Sequence, residues 1–151
     1  MKLNFREAQE NDLAALVNLL ADDELGRQRE DNSMPLNLAY KQTFQQISSD
    51  TNNQLIIVET KQNIVGMLQL TFIPYLTHIG SWRCLIEGVR IHKDYRGAGL
   101  GTEFFTWAIA RAKAKNCTIL QLTSDKQRPN AIKFYESLGF TASHEGFKLK
   151  L

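Results

Sequence analysis

The segment YRGAGLG, Tyr95 to Gly101, concentrates residues with chemical potential. Three glycines follow an arginine and open directly into an amphipathic, aromatic-rich stretch. Glycine is costly where a backbone must be held still, so such a cluster marks a turn with a particular task. It follows the apolar segment RCLIEGVRI, which reads as a strand, and precedes a segment of helical period from Gly99 to Lys115. The first N–H groups of a helix lack intrahelical partners and carry partial positive charge. They bind anions, and glycine lets a phosphate approach without meeting a Cβ. Arg96 adds a full positive charge, so the chemistry implied is retention of a phosphate-bearing ligand. Dinucleotide spacing fails, because the sixth position counted from Gly97 is Thr102 rather than glycine. A P-loop fails too, because Thr102 and Glu103 follow Gly101. On the loop alone, a helix start that uses glycine only for a tight turn stays open.

The elements that must position this loop are legible in outline. KLNFREA alternates as a first strand, and Leu13, Leu16, Val17 and Leu20 fall at helical spacing, with Asn11 or Asp12 as N-cap. DELGRQREDNSMP reads as a loop, and a second helix runs from about Leu36 to Ile47. QLIIVET and IVGMLQLTFIP read as strands joined by a tight turn at Lys61 to Asn63, with Pro74 ending the second. After RCLIEGVRI and the loop, Leu100, Phe104, Trp107 and Ala108 share one face of a helix of about four turns. TILQLTS reads as a strand, PNAIKFYESLG as a helix with Pro129 near its first turn, and FTAS and FKLKL as short closing strands. No repeat or linker interrupts residues 1–151, which read as one α/β domain.

Composition excludes more than it selects. The chain of 151 residues is 43% hydrophobic and 23% charged with a net charge of +2, so it makes no case for nucleic acid. Its longest apolar runs fall far short of the ~18 residues of a membrane span, and MKLNFREAQEND lacks an export-signal core. A cytoplasmic setting is the expectation. Cys84 and Cys117 read as small buried thiols. His78, His92 and His144 have no metal-ligand spacing, and no metal is expected.

At Arg96, Gly99 and Gly101 the sequence resembles the GCN5-related N-acetyltransferase superfamily, whose acetyl-CoA signature is [QR]-x-x-G-x-[GA]. The resemblance continues upstream in Glu87 of IEGVRIHKDYRGAGLG. Downstream, NAIKFYESLGF supplies Asn130, Phe134, Tyr135, Gly139 and Phe140. It implies an α/β (α+β) domain with a mixed sheet of about six to seven strands, one splayed pair, and about four helices. It also implies acetyl-CoA as co-substrate. The pantetheine arm would lie between Leu85–Ile91 and Thr118–Ser124, pairing with backbone near Val89 and Ile91. The pyrophosphate would rest on N–H groups of Arg96, Gly97, Ala98, Gly99, Leu100, Gly101 and Thr102, with Asn130 facing the same ligand.

The implied reaction is direct acetyl transfer to a primary amine, which needs a base for the amine and an acid for the departing thiolate. Glu87 is the base candidate, and its apolar strand predicts a buried setting. Tyr135 is the acid candidate. Helix neighbours point about 100° apart, so Phe134 is expected inward and Tyr135 towards the ligand. In the family the acceptor lies near the first helical loop and the segment holding Phe72, Tyr75, His78 and Trp82, the candidate substrate residues here. The mixed charges from Asp22 to Asp31 read as a solvated loop. A small-molecule amine is the first reading of the acceptor, and a peptide or protein amine the second. A non-catalytic acyl-CoA sensor is the reading outside enzymology, and the presence of both Glu87 and Tyr135 favours the enzyme. Proteins of this fold are often homodimers, and no sequence feature marks an interface.

Overall fold

Alternation in the central strands builds the fold outward from the sheet. The computed structural model describes residues 1–61, 63–128 and 130–151. Gln62, in the expected strand turn, and Pro129, expected at the start of the last helix, lie outside the described residues. The elements run β1 (Asn4–Glu7), a 3-10 turn (Glu10–Asp12), α1 (Leu13–Ala21), α2 (Glu24–Arg29), α3 (Leu38–Ser49), β2 (Asn53–Glu59) and β3 (Ile64–Pro74). After these come α4 (Thr77–Gly80), β4 (Trp82–Ile91), a second 3-10 turn (Lys93–Tyr95), α5 (Leu100–Ala114), β5 (Ile119–Gln121) and α6 (Ala131–Ser137). The sheet order is β1-β2-β3-β4-β5, antiparallel as far as β4, with β5 parallel to β4. A parallel neighbour needs a crossover, and α5 supplies it.

The sheet buries both faces. On one, Phe104, Phe105, Ala108 and Ala112 of α5 pack onto Val58, Val65, Leu68, Leu70, Cys84 and Ile86. On the other, Leu16 and Leu19 of α1 cover Ile57 and Met67. The α5 contact is close enough to need glycine in β3. A Cβ on Gly66 would stand 2.4 Å from the Phe104 ring and 2.5 Å from the Arg90 carbonyl oxygen.

Several expectations are corrected. The charged run after α1 is not wholly loop, because α2 forms there. Asp23 caps it by accepting the Gly26 N–H, and at Gly26 a Cβ would collide with the Leu20 carbonyl. Local charge density conceals a helix whose packing rests on one glycine. Asp12 does not cap α1 with its side chain. Its carboxylate turns back to the Gln9 N–H at 2.7 Å and to the Arg6 guanidinium at 2.9 and 3.1 Å.

Among the described residues the sheet has five strands, fewer than the six to seven expected, and there are six helical segments rather than about four, one of them, Thr77–Gly80, a single turn with His78 and Ile79 at positive φ. β5 occupies only three residues of the expected Thr118–Ser124. FTAS and FKLKL form no strand. Phe147, Leu149 and Leu151 alternate as a strand face would, yet all three are exposed. Alternation supplies a preference for extended backbone but not the partner that a ladder needs.

Candidate functional site

The site begins where the sheet opens. β4 pairs with β5 only at Arg83, Cys84 and Leu85, so its remaining residues to Ile91 have no neighbour in β5. Register against β3 shifts in the same place. Glu87 lies opposite Gln69 and Arg90 opposite Met67, so Gly88 and Val89 together oppose Leu68. This is a β-bulge, with Gly88 at φ +61°. Directly opposed residues share a face, and Met67 belongs to the α1 cluster, so Glu87 and Arg90 both point to the α1 side. Val89 and Ile91 pack instead against the α5 core. Glu87 is exposed, which corrects the expectation of a buried strand carboxylate. β5 has left β4 two residues earlier, so position 87 stands at the lip of the opening.

The glycine loop divides its labour. Gly97 and Gly99 have φ of +79° and +78°, and a Cβ on either would meet nothing within 4 Å. Glycine is required there by backbone conformation, and the space beside it is open. Gly101 is different. It lies inside α5, where a Cβ would come within 2.9 Å of Phe134 Cζ, so its missing side chain seats α6 on α5. Among the described residues no side chain caps α5, which leaves its first turn uncapped beside that open space. This cradle fits a phosphate group of an acyl carrier such as coenzyme A. Ala98 and Thr102 are exposed beside it, and Leu100 anchors the turn in the core. The Arg96 side chain is tied back, donating from Nε to the Ile91 carbonyl at 3.0 Å and from Nη2 to the Asp22 carbonyl at 3.3 Å. Asn130 is exposed at the start of α6 with φ +61°.

Tyr135 and Phe134 do not divide inward and outward as expected. Both rings lie against Phe105, at centroid distances of 5.6 and 5.8 Å, and 5.4 Å from each other. Phe105 is large enough to receive two successive residues of a short helix. Burial pushes the Tyr135 phenol above its ordinary pKa, while the positive charges of Arg128 and Arg90 pull the other way.

That influence points to a group the sequence reading missed. Asp23 accepts from Arg128 Nη1 at 2.6 Å, Arg29 Nη2 donates to Asp125 at 2.7 Å, and Arg90 Nε stands 3.9 Å from Asp23. These residues come from α2, β4 and the β5–α6 loop, and the pairs Asp23–Arg128 and Arg29–Asp125 join segments distant in sequence. The one local signal was Arg90, a cation set between Val89 and Ile91 in the strand that also carries Arg83 and Glu87.

The candidate acceptor residues are not gathered at this place. Phe72 is buried in the α5-side core, on the face opposite Glu87. Tyr75 lies under the Arg83 guanidinium at 4.4 Å, while His78 is exposed and Trp82 partly so. Trp82 is five residues from Glu87, about 17 Å along a strand. Cys84 is buried, and its thiol is pushed up to about 12 by that burial. Among the described residues no cluster of His, Cys, Asp or Glu could hold a metal, and no helix is long and apolar enough to cross a membrane.

A sheet opened at its parallel edge beside a glycine-led helix defines a recognisable class of mixed α/β domain. A profile of the acetyltransferase (GNAT) family matches residues 13–140, and the chain belongs to that family. Glucosamine 6-phosphate N-acetyltransferase of Trypanosoma brucei brucei is 34% identical over 88 residues, which is 58% of this chain and 58% of that protein. The match thus spans less than two thirds of that relative. Aminoalkylphosphonate N-acetyltransferase of Salmonella typhimurium is 25% identical over 109 residues, 72% of this chain and 70% of the relative. Among solved structures, a protein from Bacillus halodurans C-125 described as a transcriptional regulator is 53% identical. It superimposes with a TM-score of 0.96 over 99% of this chain and 100% of that one.

Proposed function

We propose that the chain transfers the acetyl group of acetyl-CoA directly to the primary amine of a small molecule. The observation that carries this is the release of β4 from β5 after Leu85, immediately before an uncapped, glycine-led helix. Acetyl-CoA supplies an electrophilic thioester carbon and a thiolate leaving group. The N–H groups from Arg96 to Thr102 hold its pyrophosphate, and the free edge of β4 around Val89 and Ile91 receives its amide-bearing arm. The Ile91 carbonyl already accepts from Arg96 Nε, which holds the loop-side end of that edge in place. Asn130 adds a polar contact from the start of α6.

Glu87, exposed at the lip of the opening, takes a proton from the incoming ammonium through water. The amine nitrogen then bonds to the acetyl carbon as the carbon–sulfur bond breaks. Tyr135 gives its phenolic proton to the departing sulfur, burial favouring the neutral phenol that does so, and the second proton lost by the acylated nitrogen passes through water to restore that phenol. Both curated relatives are named for small phosphorus-bearing amines, which supports a small-molecule acceptor over a protein. Tyr75, His78 and Trp82 remain candidates for an outer wall of the acceptor groove.

The Bacillus halodurans relative, named for regulation, favours one second reading, an acetyl-CoA-binding sensor without turnover. Thiol release from acetyl-CoA is to be measured against amines, amino acids and peptides, alongside calorimetric binding of acetyl-CoA. Release with a small amine is expected. Tight binding with no release for any acceptor replaces the transferase reading by the sensor.

A further inference from the structure

Arg90 sits three positions after Glu87, on the same face of the sheet and across the bulge. Its side chain is only 18% exposed. One Nη1 proton is used on the neighbouring Val89 carbonyl at 2.9 Å. Its Nε is buried with no hydrogen-bond partner among the described residues. The nearest carboxylate does not hydrogen-bond to it. Asp23 Oδ1 accepts the Gly26 N–H and Oδ2 accepts Arg128, which leaves Arg90 Nε at 3.9 Å, beyond hydrogen-bond reach. Around this point three guanidiniums, Arg29, Arg90 and Arg128, stand among the carboxylates of Asp23, Asp125 and Glu30, and of the three guanidiniums Arg90 alone makes no carboxylate hydrogen bond among the described residues. A buried guanidinium donor without an acceptor loses more than a made bond returns. The fold nevertheless keeps Arg90 there, at the wall of the opening.

We propose that Arg90, with Arg128 beside it, binds an anionic oxygen group carried by the acceptor amine, a phosphate, phosphonate or carboxylate. The inference rests on the transferase reading, since it takes the acceptor to enter on the Glu87 face. A planar guanidinium fork matches such oxygens in a way no neutral group does. The donor's phosphates are served elsewhere, at the start of α5, and Val89 and Ile91 face the α5 core whereas Arg90 faces α1. Asp23 then has a second use. Held by Arg128 and the α2 N-terminus, it fixes that arginine while leaving Arg90 free for the ligand.

The test is a series of two-carbon amines that differ only in the far group: phosphoethanolamine, aminoethylphosphonate, β-alanine and ethanolamine. At least one anionic amine is expected to exceed ethanolamine in kcat/KM by about tenfold or more. Comparison of the three anions identifies which oxygen group is preferred. Arg90→Met keeps the volume without the donors and is expected to bring that ratio towards one, with the KM for acetyl-CoA changed less than about twofold. Arg90→Lys is expected to give an intermediate ratio. Three results overturn the proposal: ethanolamine used as well as every anion, an equal loss for all acceptors in Arg90→Met, or a raised acetyl-CoA KM with unchanged acceptor preference. Calorimetric binding of aminoethylphosphonate to CoA-saturated protein separates the two readings. Binding that Arg90→Met weakens about tenfold, without turnover of any amine, sustains the anion site and removes the transferase. Turnover of neutral amines alone removes the anion site and sustains the transferase. Neither binding nor turnover removes both.

Discussion

Gly101 and Gly99 stand two residues apart in the same loop, and their replacement by alanine should fail in different ways. At Gly99 the cost is conformational. An L-residue in the left-handed region costs about 1–2 kcal/mol, against which the stiffer unfolded chain returns about 0.4–1 kcal/mol. The net loss is about 1 kcal/mol, with no neighbour displaced, because no atom lies within 4 Å of the added Cβ. At Gly101 the backbone is helical and alanine is locally favourable. The added Cβ, however, would sit 2.9 Å from Phe134 Cζ and 3.3 Å from Cε2, where carbon contacts settle at about 3.5–4.0 Å. The ring must retreat by about 0.6 Å or more, and it is wedged against Phe105 and Tyr135. Overpacking of that order costs about 1–3 kcal/mol.

The expected outcome is therefore a coupling, not merely a loss. In a cycle of Gly101→Ala, Phe134→Leu and the double variant, urea denaturation should give an interaction energy of about 1 kcal/mol or more, with the smaller side chain relieving the clash. Gly101→Ala should also lower kcat, because Tyr135 moves with Phe134, whereas Gly99→Ala should weaken acetyl-CoA binding. Strictly additive stabilities, or a Gly101→Ala variant that loses only acetyl-CoA affinity, would refute the assignment of Gly101 to helix packing.

Tyr135→Phe is expected to lower kcat by about 10²–10⁴ with acetyl-CoA affinity retained, and an unchanged single-turnover rate removes Tyr135 from the reaction. Glu87→Gln should lower kcat/KM for the amine over a similar range, about 10²–10⁴, while leaving the melting temperature nearly unchanged, since the side chain is exposed. Parental kinetics across pH would exclude Glu87 as base. The Arg6 hydrogen bond holds the Asp12 carboxyl below its ordinary value. Its contribution is therefore present above about pH 4 and is lost as pH falls through the lower folded value. Asp12→Asn lacks that contribution from the start, so its stability should fall less steeply with acid. Parallel acid-unfolding curves for the two proteins count against the pairing.

Much of the scaffold was legible because its signals are local. The alternation of QLIIVET and IVGMLQLTFIP and the helical period after Gly99 each depend on near neighbours, and β2, β3 and α5 form where those patterns lie. α2 was hidden because six residues are too few to show a helical period, and its Asp23 cap and the close approach of Gly26 to the Leu20 carbonyl are visible only in the fold. FKLKL had the pattern of a strand without a partner to pair with. Phe72 reads equally well as a pocket wall or as core, and only the register opposite Cys84 assigns it to the core face.

The sequence by itself determined the glycine-led helix start and the strand that feeds it, while the candidate acid and base on either side came from resemblance to a family. These are properties of short segments, where residue type sets backbone freedom and periodicity sets a face. Tertiary structure alone decided that Gly101 serves Phe134 while Gly97 and Gly99 serve the turn. It also decided that Glu87 emerges at an open lip, and that Arg90 meets Asp23 and Arg128 from remote parts of the chain. Close approach and charge balance depend on distance in space, and distance along the chain does not supply it.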